Sequence, residues 1–276
     1  APMTTPGPIR LIVTDIDGTL TTTAQEITPR VRQAVAAARA RGVPTCVATG
    51  RAWRSGRRYI EALPADPPAI LFNGGMVYDF SRDRVLFRQG MDPELALVVV
   101  EALDAHPDLA AHLYVGDRIY VRRWTPLVAA TALHDHLDPE AVGDLRTVLP
   151  RDRAAPIMKF RILGPREELE ALAEALGRTD PVNYVFSETT SLEVLPPGVS
   201  KGTALRVVAE HLGVDLEAVM AVGDEWNDLT MLQAAGWGVA MADAPEPVRR
   251  AARVVAPTSD ADGLAVVIER YVLDGR

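Results

Sequence analysis

Short apolar runs alternate with helical stripes in both outer thirds of the chain. The β-branched run at residues 9–14 is bounded by polar residues and predicts a strand. Thr28 and Pro29 then read as a helix N-cap and a first-turn proline. Val31, Ala34, Val35 and Ala38 supply the apolar stripe, and Gly42 ends it. Residues 43–48 form a second buried strand, and Ile70-Leu71-Phe72 a third, which runs into the turn Asn73-Gly74-Gly75. Strand, helix and strand at this spacing predict a right-handed parallel crossover. The last third repeats the alternation. Ser200 caps a helix with Leu205, Val208, Ala209 and Leu212 on one face, ended by Gly213. Strands are predicted at 219–222, 238–241 and 253–256, with helices at 228–235, 247–252 and 261–273. The strands are near-continuous apolar runs, the pattern of a parallel sheet covered on both faces.

The middle reads differently. A strand is predicted at 85–89, a helix at 94–105, and a hairpin from 111–115 and 118–122 over Gly116-Asp117. A helix at 126–136, an alternating strand at 156–163 and a helix at 166–176 follow. The expected fold is therefore α/β: a Rossmann-like parallel-sheet core with an inserted α+β cap domain. The core takes residues 1–83 and 190–276, and the cap takes 84–189.

Composition narrows the classes. At 276 residues, with 48% apolar and 24% charged, the chain is long enough for two domains and unlike a disordered one. No run approaches the roughly 20 apolar residues of a spanning helix. The 37 acidic residues outnumber the 29 basic ones, so a net charge of −8 argues against a general nucleic-acid footprint. The single Cys46 lies in an apolar strand and is read as a core side chain, with no internal disulfide. Residues 1–10 hold three prolines and no apolar signal segment, so a cytoplasmic location is expected. Only two of the basic residues are lysines, Lys159 and Lys201, which asks what an arginine would not do there.

Four clusters carry the chemistry. Asp15-Ile16-Asp17-Gly18-Thr19 follows the first strand, at the sheet end where ligands bind in open parallel sheets. An EF-hand would also use Asp15, Asp17 and Glu26, but its sixth position would be Leu20 in place of Gly. Thr49-Gly50-Arg51 ends the second strand and offers a hydroxyl and backbone N–H groups to an anion. Ser200-Lys201-Gly202 puts an ammonium at a helix start, where the macrodipole disfavours it. Gly223-Asp224-Glu225-Trp226-Asn227-Asp228 adds carboxylates after another strand. Acids for Mg2+, a hydroxyl and an ammonium at one sheet edge are the equipment of phosphoryl transfer. His134 and His136 have no His or Cys cluster around them for a zinc site. Lys159 is read as a solvated cation on a strand face, with reach to a substrate as the alternative.

With these motifs in order over residues 9–228, the chain resembles the haloacid dehalogenase-like phosphatase superfamily, and within it the Cof-type branch with a large α/β cap. Asn73-Gly74, Met231-Leu232, the stretch from Gly238 to Met241 and the segment 260–263 match that branch as well. The resemblance implies a Mg2+-dependent phosphatase acting on a small phosphorylated metabolite, such as a sugar phosphate, flavin mononucleotide or pyridoxal phosphate. Asp15 is then the nucleophile and Asp17 the general acid and base. Asp15, the Asp17 carbonyl and Asp224 hold the metal. Thr49, Gly50, Arg51, Lys201 and Asn227 bind the substrate's phosphate side, and Asp228 orients Lys201 or a metal-bound water. A phosphomutase on the same fold and a non-catalytic phosphate-binding protein are the rival readings. Trp226 and Ala242-Asp243 depart from the branch's usual residues at the expected pocket rim.

Overall fold

Five parallel strands make the main sheet, in the order Val254–Ala256, Trp237–Met241, Val219–Gly223, Leu11–Thr14, Thr45–Val47. The computed structural model describes residues 7–63, 66, 68–149, 155–178 and 182–275. They form two compact units, one made of the described residues within 7–50, 56–87 and 200–275, the other of those within 51–55 and 88–199.

In the first unit the helix Pro29–Ala40 starts where its cap predicts, with Thr28 Oγ1 accepting the Val31 N–H at 3.2 Å. It buries Val31, Ala34, Val35 and Ala38. The helix Lys201–Leu212 is held at its start by a reciprocal capping box between Ser200 and Thr203. Gly213, at φ 64°, ends it. Leu205 and Val208 pack with Leu11, Val13, Cys46 and Val219 into the core. Burial of a Leu or Val of this kind is worth about 1.5–3 kcal/mol. The predicted C-terminal helix is shorter, Gly263–Ile268, and runs on into the five-residue π-helical turn Glu269–Leu273.

The strand Arg84–Arg88, read from the sequence as part of the insert, instead extends a small sheet with Ala69–Leu71 and Met76–Asp79. The strands Asn183–Glu188 and Ser191–Leu195 escape the hydropathy pattern, and both lie in the second unit. Ser191 sits opposite Leu163, and Val194 opposite Phe160. The chain therefore returns to the first unit after Val199, ten residues later than the division at 189.

The second unit is built on a six-stranded sheet. Its order is Asn183–Glu188, Ser191–Leu195, Ile157–Leu163, Ala110–Val115, Arg118–Val121, Glu140–Ala141. One face, with Leu113, Phe160, Ile162 and Val194, packs on Val99 and Leu103 of the helix Pro93–Asp104 and on Leu169 and Leu172 of the helix Arg166–Gly177. The other face carries His112, Tyr114, Lys159, Arg161 and Glu193, which alternate with those apolar residues along the strands.

Lys159 on this face is not solvated. It is buried, its Nζ lies 2.6 Å from Glu193 Oε2, and it sits 5.1 Å from the centre of the Tyr114 ring. Burial pushes its pKa down, and Glu193 opposes that. The strand pattern shows an alternation but not that both faces are covered, so the expected solvated cation is a buried ion pair.

His112 is fully buried, and burial, helped by Arg161, pushes its pKa down to about 4, against the pull of Asp135. The unfolded chain takes up this proton below pH 6.5, while the folded chain resists until about 4. Stability is therefore full above 6.5 and is lost as the pH falls through that window. Between pH 7 and 5 the loss is about 2 kcal/mol. Denaturant titrations of wild type and His112→Leu at both pH values should show that drop shrinking in the variant. An equal drop in both proteins would remove His112 as its source.

Candidate active site

Asp15 directly follows the strand Leu11–Thr14, and its N–H donates to Val222 O of the neighbouring strand at 2.9 Å. Asp224 and Asp228 follow that neighbour, Val219–Gly223. Lys201 is the first residue of its helix and is completely buried. Its Nζ donates to Asp15 Oδ1 and to Asp228 Oδ1, both at 2.6 Å. Two carboxylates so close outweigh the unfavourable helix end. The other oxygen of Asp228 accepts the backbone N–H groups of Asp224 at 3.0 Å and Glu225 at 3.1 Å. Asp228 thus fixes both the lysine and the turn that presents Asp224.

Two glycines make room for these acids. Gly18 has φ 74°, and a Cβ there would collide with the Asp224 carboxylate. A Cβ on Gly223 would collide with the carboxylate of Asp228. Asp224 is further held by Thr19, whose Oγ1 donates to Asp224 Oδ1 at 2.7 Å.

The charges are out of balance. Burial pushes the Asp15 pKa up to about 7, with Asp228 and Asp17 adding to the rise and Lys201 opposing it. Asp224 is raised well above the usual carboxylate range by burial, then by Asp15 and Asp228. Burial disfavours the Lys201 ammonium, but Asp15 and Asp228 overcome this and hold it firmly charged. Oxygens of Asp15, Asp224 and Asp228 lie within 4.8 Å of one another. Three carboxylates around one ammonium are a donor set with an unmet demand for positive charge. Hard oxygen donors of this kind suit a divalent cation such as Mg2+. Asp17 is half-buried, and its carboxyl is not one of the three clustered groups.

A second group lies alongside. Thr49 ends the neighbouring edge of the sheet and is buried, with its N–H donating to Ile70 O at 2.9 Å. Its carbonyl accepts the Asn73 N–H at 3.0 Å, and Asn227 Nδ2 donates to Asn73 Oδ1 at 3.0 Å. A Cβ on Gly50 would stand 3.1 Å from the Asn73 side-chain amide. Thr49, Gly50 and Asn227, predicted separately, are therefore joined through Asn73.

Arg51 is placed differently. It belongs to the second unit, where it pairs with Asp135 at 3.5 Å. Asp135 also takes Arg161 and the His134 ring nitrogen, and together they hold its carboxyl below the usual range although burial works the other way. His134 and His136 end the helix Pro126–Asp135, with His136 as its left-handed cap at φ 54°. Trp226 is partly buried against the core of the first unit, and Asp243 is exposed.

Sequence reasoning assigned no role to Thr19, Asn73 or Thr230. The hydroxyl of Thr230 accepts the Gly202 N–H at 3.1 Å, beside Lys201. The Asn-Gly pair at 73–74 signals a left-handed turn, but not the partner of its side chain.

The family model for haloacid dehalogenase-like hydrolases matches residues 12–268. A pyridoxal phosphate phosphatase of Escherichia coli is 30% identical over 96% of this chain and 99% of its own. A 5-amino-6-(5-phospho-D-ribitylamino)uracil phosphatase of Bacillus subtilis is 28% identical over 95% of this chain and 97% of its own. Among solved structures, a haloacid dehalogenase-like hydrolase from Bacteroides thetaiotaomicron superposes with a TM-score of 0.82 at 30% identity, covering 95% of this chain and 99% of the other. One from Bacillus subtilis gives 0.86 at 25%, covering 95% and 99%.

Proposed function

The chain belongs to the haloacid dehalogenase-like hydrolase family and is a phosphoric monoester hydrolase, and on that premise we propose that it is a Mg2+-dependent phosphatase of small phosphorylated metabolites. The observation that carries this reading is the cluster of three carboxylates, Asp15 and Asp228 buried and Asp224 half-buried, with a buried ammonium bonded to two of them.

In this reading Asp15 attacks phosphorus through a carboxylate oxygen, and the bond from phosphorus to the leaving alkoxide breaks. Asp17 gives that alkoxide a proton. Asp17 then takes a proton from water, which attacks phosphorus and breaks its bond to Asp15, releasing inorganic phosphate. Lys201 has three N–H donors, of which two are engaged by Asp15 and Asp228. The third serves a phosphoryl oxygen, together with the Thr49 hydroxyl. Asp15 and Asp224, with the Asp17 carbonyl, would hold Mg2+. When bound, the ion offsets the surplus negative charge, lowers the Asp15 pKa and draws charge from the phosphoryl oxygens.

The substrate is a phosphate monoester of the pyridoxal phosphate, flavin mononucleotide or sugar phosphate class. Two of the relatives reported above act, by name, on pyridoxal phosphate and on a phospho-D-ribitylamino-uracil, so these two phosphate monoesters head a phosphate-release panel. Chelation with EDTA should cut turnover at least about 100-fold, with recovery on adding Mg2+. Full activity after exhaustive chelation would remove the metal from the account.

A further inference from the structure

We propose that Asn73 is a positioning residue for the phosphoryl site, holding Asn227 and the Thr49-Gly50 turn in register. The inference rests on the phosphatase reading above.

Phe72, Asn73 and Gly74 have φ of 53°, 54° and 103°, three consecutive residues in the left-handed half of the backbone map. All three are buried. For a glycine this conformation is free, for an asparagine it is tolerable, and for a phenylalanine it is strained. Backbone strain persists where the surroundings over-determine it, and it clusters at functional sites.

The surroundings here are three loops. The Asn73 N–H donates to Thr49 O at 3.0 Å, and the Asn73 side-chain amide packs over Gly50. Asn73 Oδ1 accepts from Asn227 Nδ2 at 3.0 Å. Gly74 lies so close to the Ser200 carbonyl that a Cβ there would collide with it, immediately before Lys201. One strained turn therefore touches the loops that carry Thr49, Lys201 and Asn227.

The side chain at 73 has a purpose beyond the turn. Backbone conformation alone favours glycine at φ 54°, and the neighbours at 74 and 75 are glycines. What asparagine adds is the amide. Asn227 Oδ1 is buried and finds no hydrogen-bond partner among the described residues, so the bond through Nδ2 is what anchors this side chain. Donors to a transferring phosphoryl group act only when held to within fractions of an ångström. Asn73 supplies that hold and does not itself touch the substrate.

Asn73→Gly separates the two roles, because it keeps the turn and deletes the amide. The variant should stay folded, melting within about 5 °C of the wild type, because the relief of backbone strain offsets part of the lost hydrogen bond. Its kcat/KM should fall about 10–100-fold, and inorganic phosphate should bind about tenfold more weakly by calorimetry and as a competitive inhibitor. The same change made on Asn227→Ala should cost much less, as a double-mutant cycle between coupled residues requires. Wild-type kcat/KM and wild-type phosphate binding in Asn73→Gly would overturn the inference, and so would full additivity with Asn227→Ala. Wild-type protein that binds phosphate but hydrolyses nothing on the panel would overturn the phosphatase reading instead. In that event the loss of phosphate affinity in Asn73→Gly still decides the role of Asn73.

Discussion

Asp15→Asn should lose at least about four orders of magnitude in turnover and remain folded. The amide has nearly the shape of the carboxylate and can still accept from Lys201, which keeps its second anion, Asp228. It cannot attack phosphorus. Stability at pH 7 should not fall in metal-free protein, and the sign follows from the raised pKa. The unfolded Asp15 ionises near 3.8 and the folded one near 7. Between these values the folded chain holds a proton that the unfolded chain has released, so the stability Asp15 contributes is present below 3.8 and lost as the pH rises through 7. Asparagine has no proton to lose and escapes that cost. Release of p-nitrophenol from p-nitrophenyl phosphate and thermal melts in EDTA read the two halves of the expectation. Near-wild-type turnover would end the assignment of Asp15 as nucleophile.

Lys201→Met should be as damaging, and for a different reason. Met fills most of the same space but leaves Asp15 and Asp228 buried with no counterion. Breaking one side of a buried ion pair costs roughly 3–5 kcal/mol. Lys201 lowers the Asp15 pKa, so its loss sends that pKa higher, and at pH 7 more of the nucleophile is protonated. Turnover at pH 7 should fall about 1000-fold or more, with part of it returning as the pH is raised. A pH–rate profile of the weakened enzyme reads the shift as an acidic limb moved to higher pH, and an unmoved acidic limb would separate Lys201 from Asp15. Lys201→Arg restores the charge but not the fit. A planar guanidinium is wider than the ammonium that sits 2.6 Å from two carboxylates.

What could be read ahead of the structure follows the range of the interaction. Thr28 with Pro29, and Ser200 with Gly213, mark helix ends through contacts a few residues apart, and both helices begin where those signals stand. Asp15, Lys201 and Asp224 were legible because each sits at a strand end or a helix start in one parallel sheet, and topology brings such ends together. The pairings across the chain were not legible. Nothing local says that residues 84–88 extend one sheet, or that Ser191–Leu195 pairs with Ile157–Leu163. Lys159 failed for the same reason: its burial depends on Glu193, on another strand. Asn73 was visible as a turn residue, but its value lies in Asn227, far along the sequence.

Both lysines of this chain, Lys159 and Lys201, are buried and bound to carboxylates. The positive charge on the folded surface therefore comes from guanidinium groups, which acetylation and ubiquitination do not touch. Lysine-directed modification can reach this protein only by opening it. At Lys201 that means dismantling the very cluster that would hold the phosphate, so such a mark would report on lost structure and could not adjust an intact site.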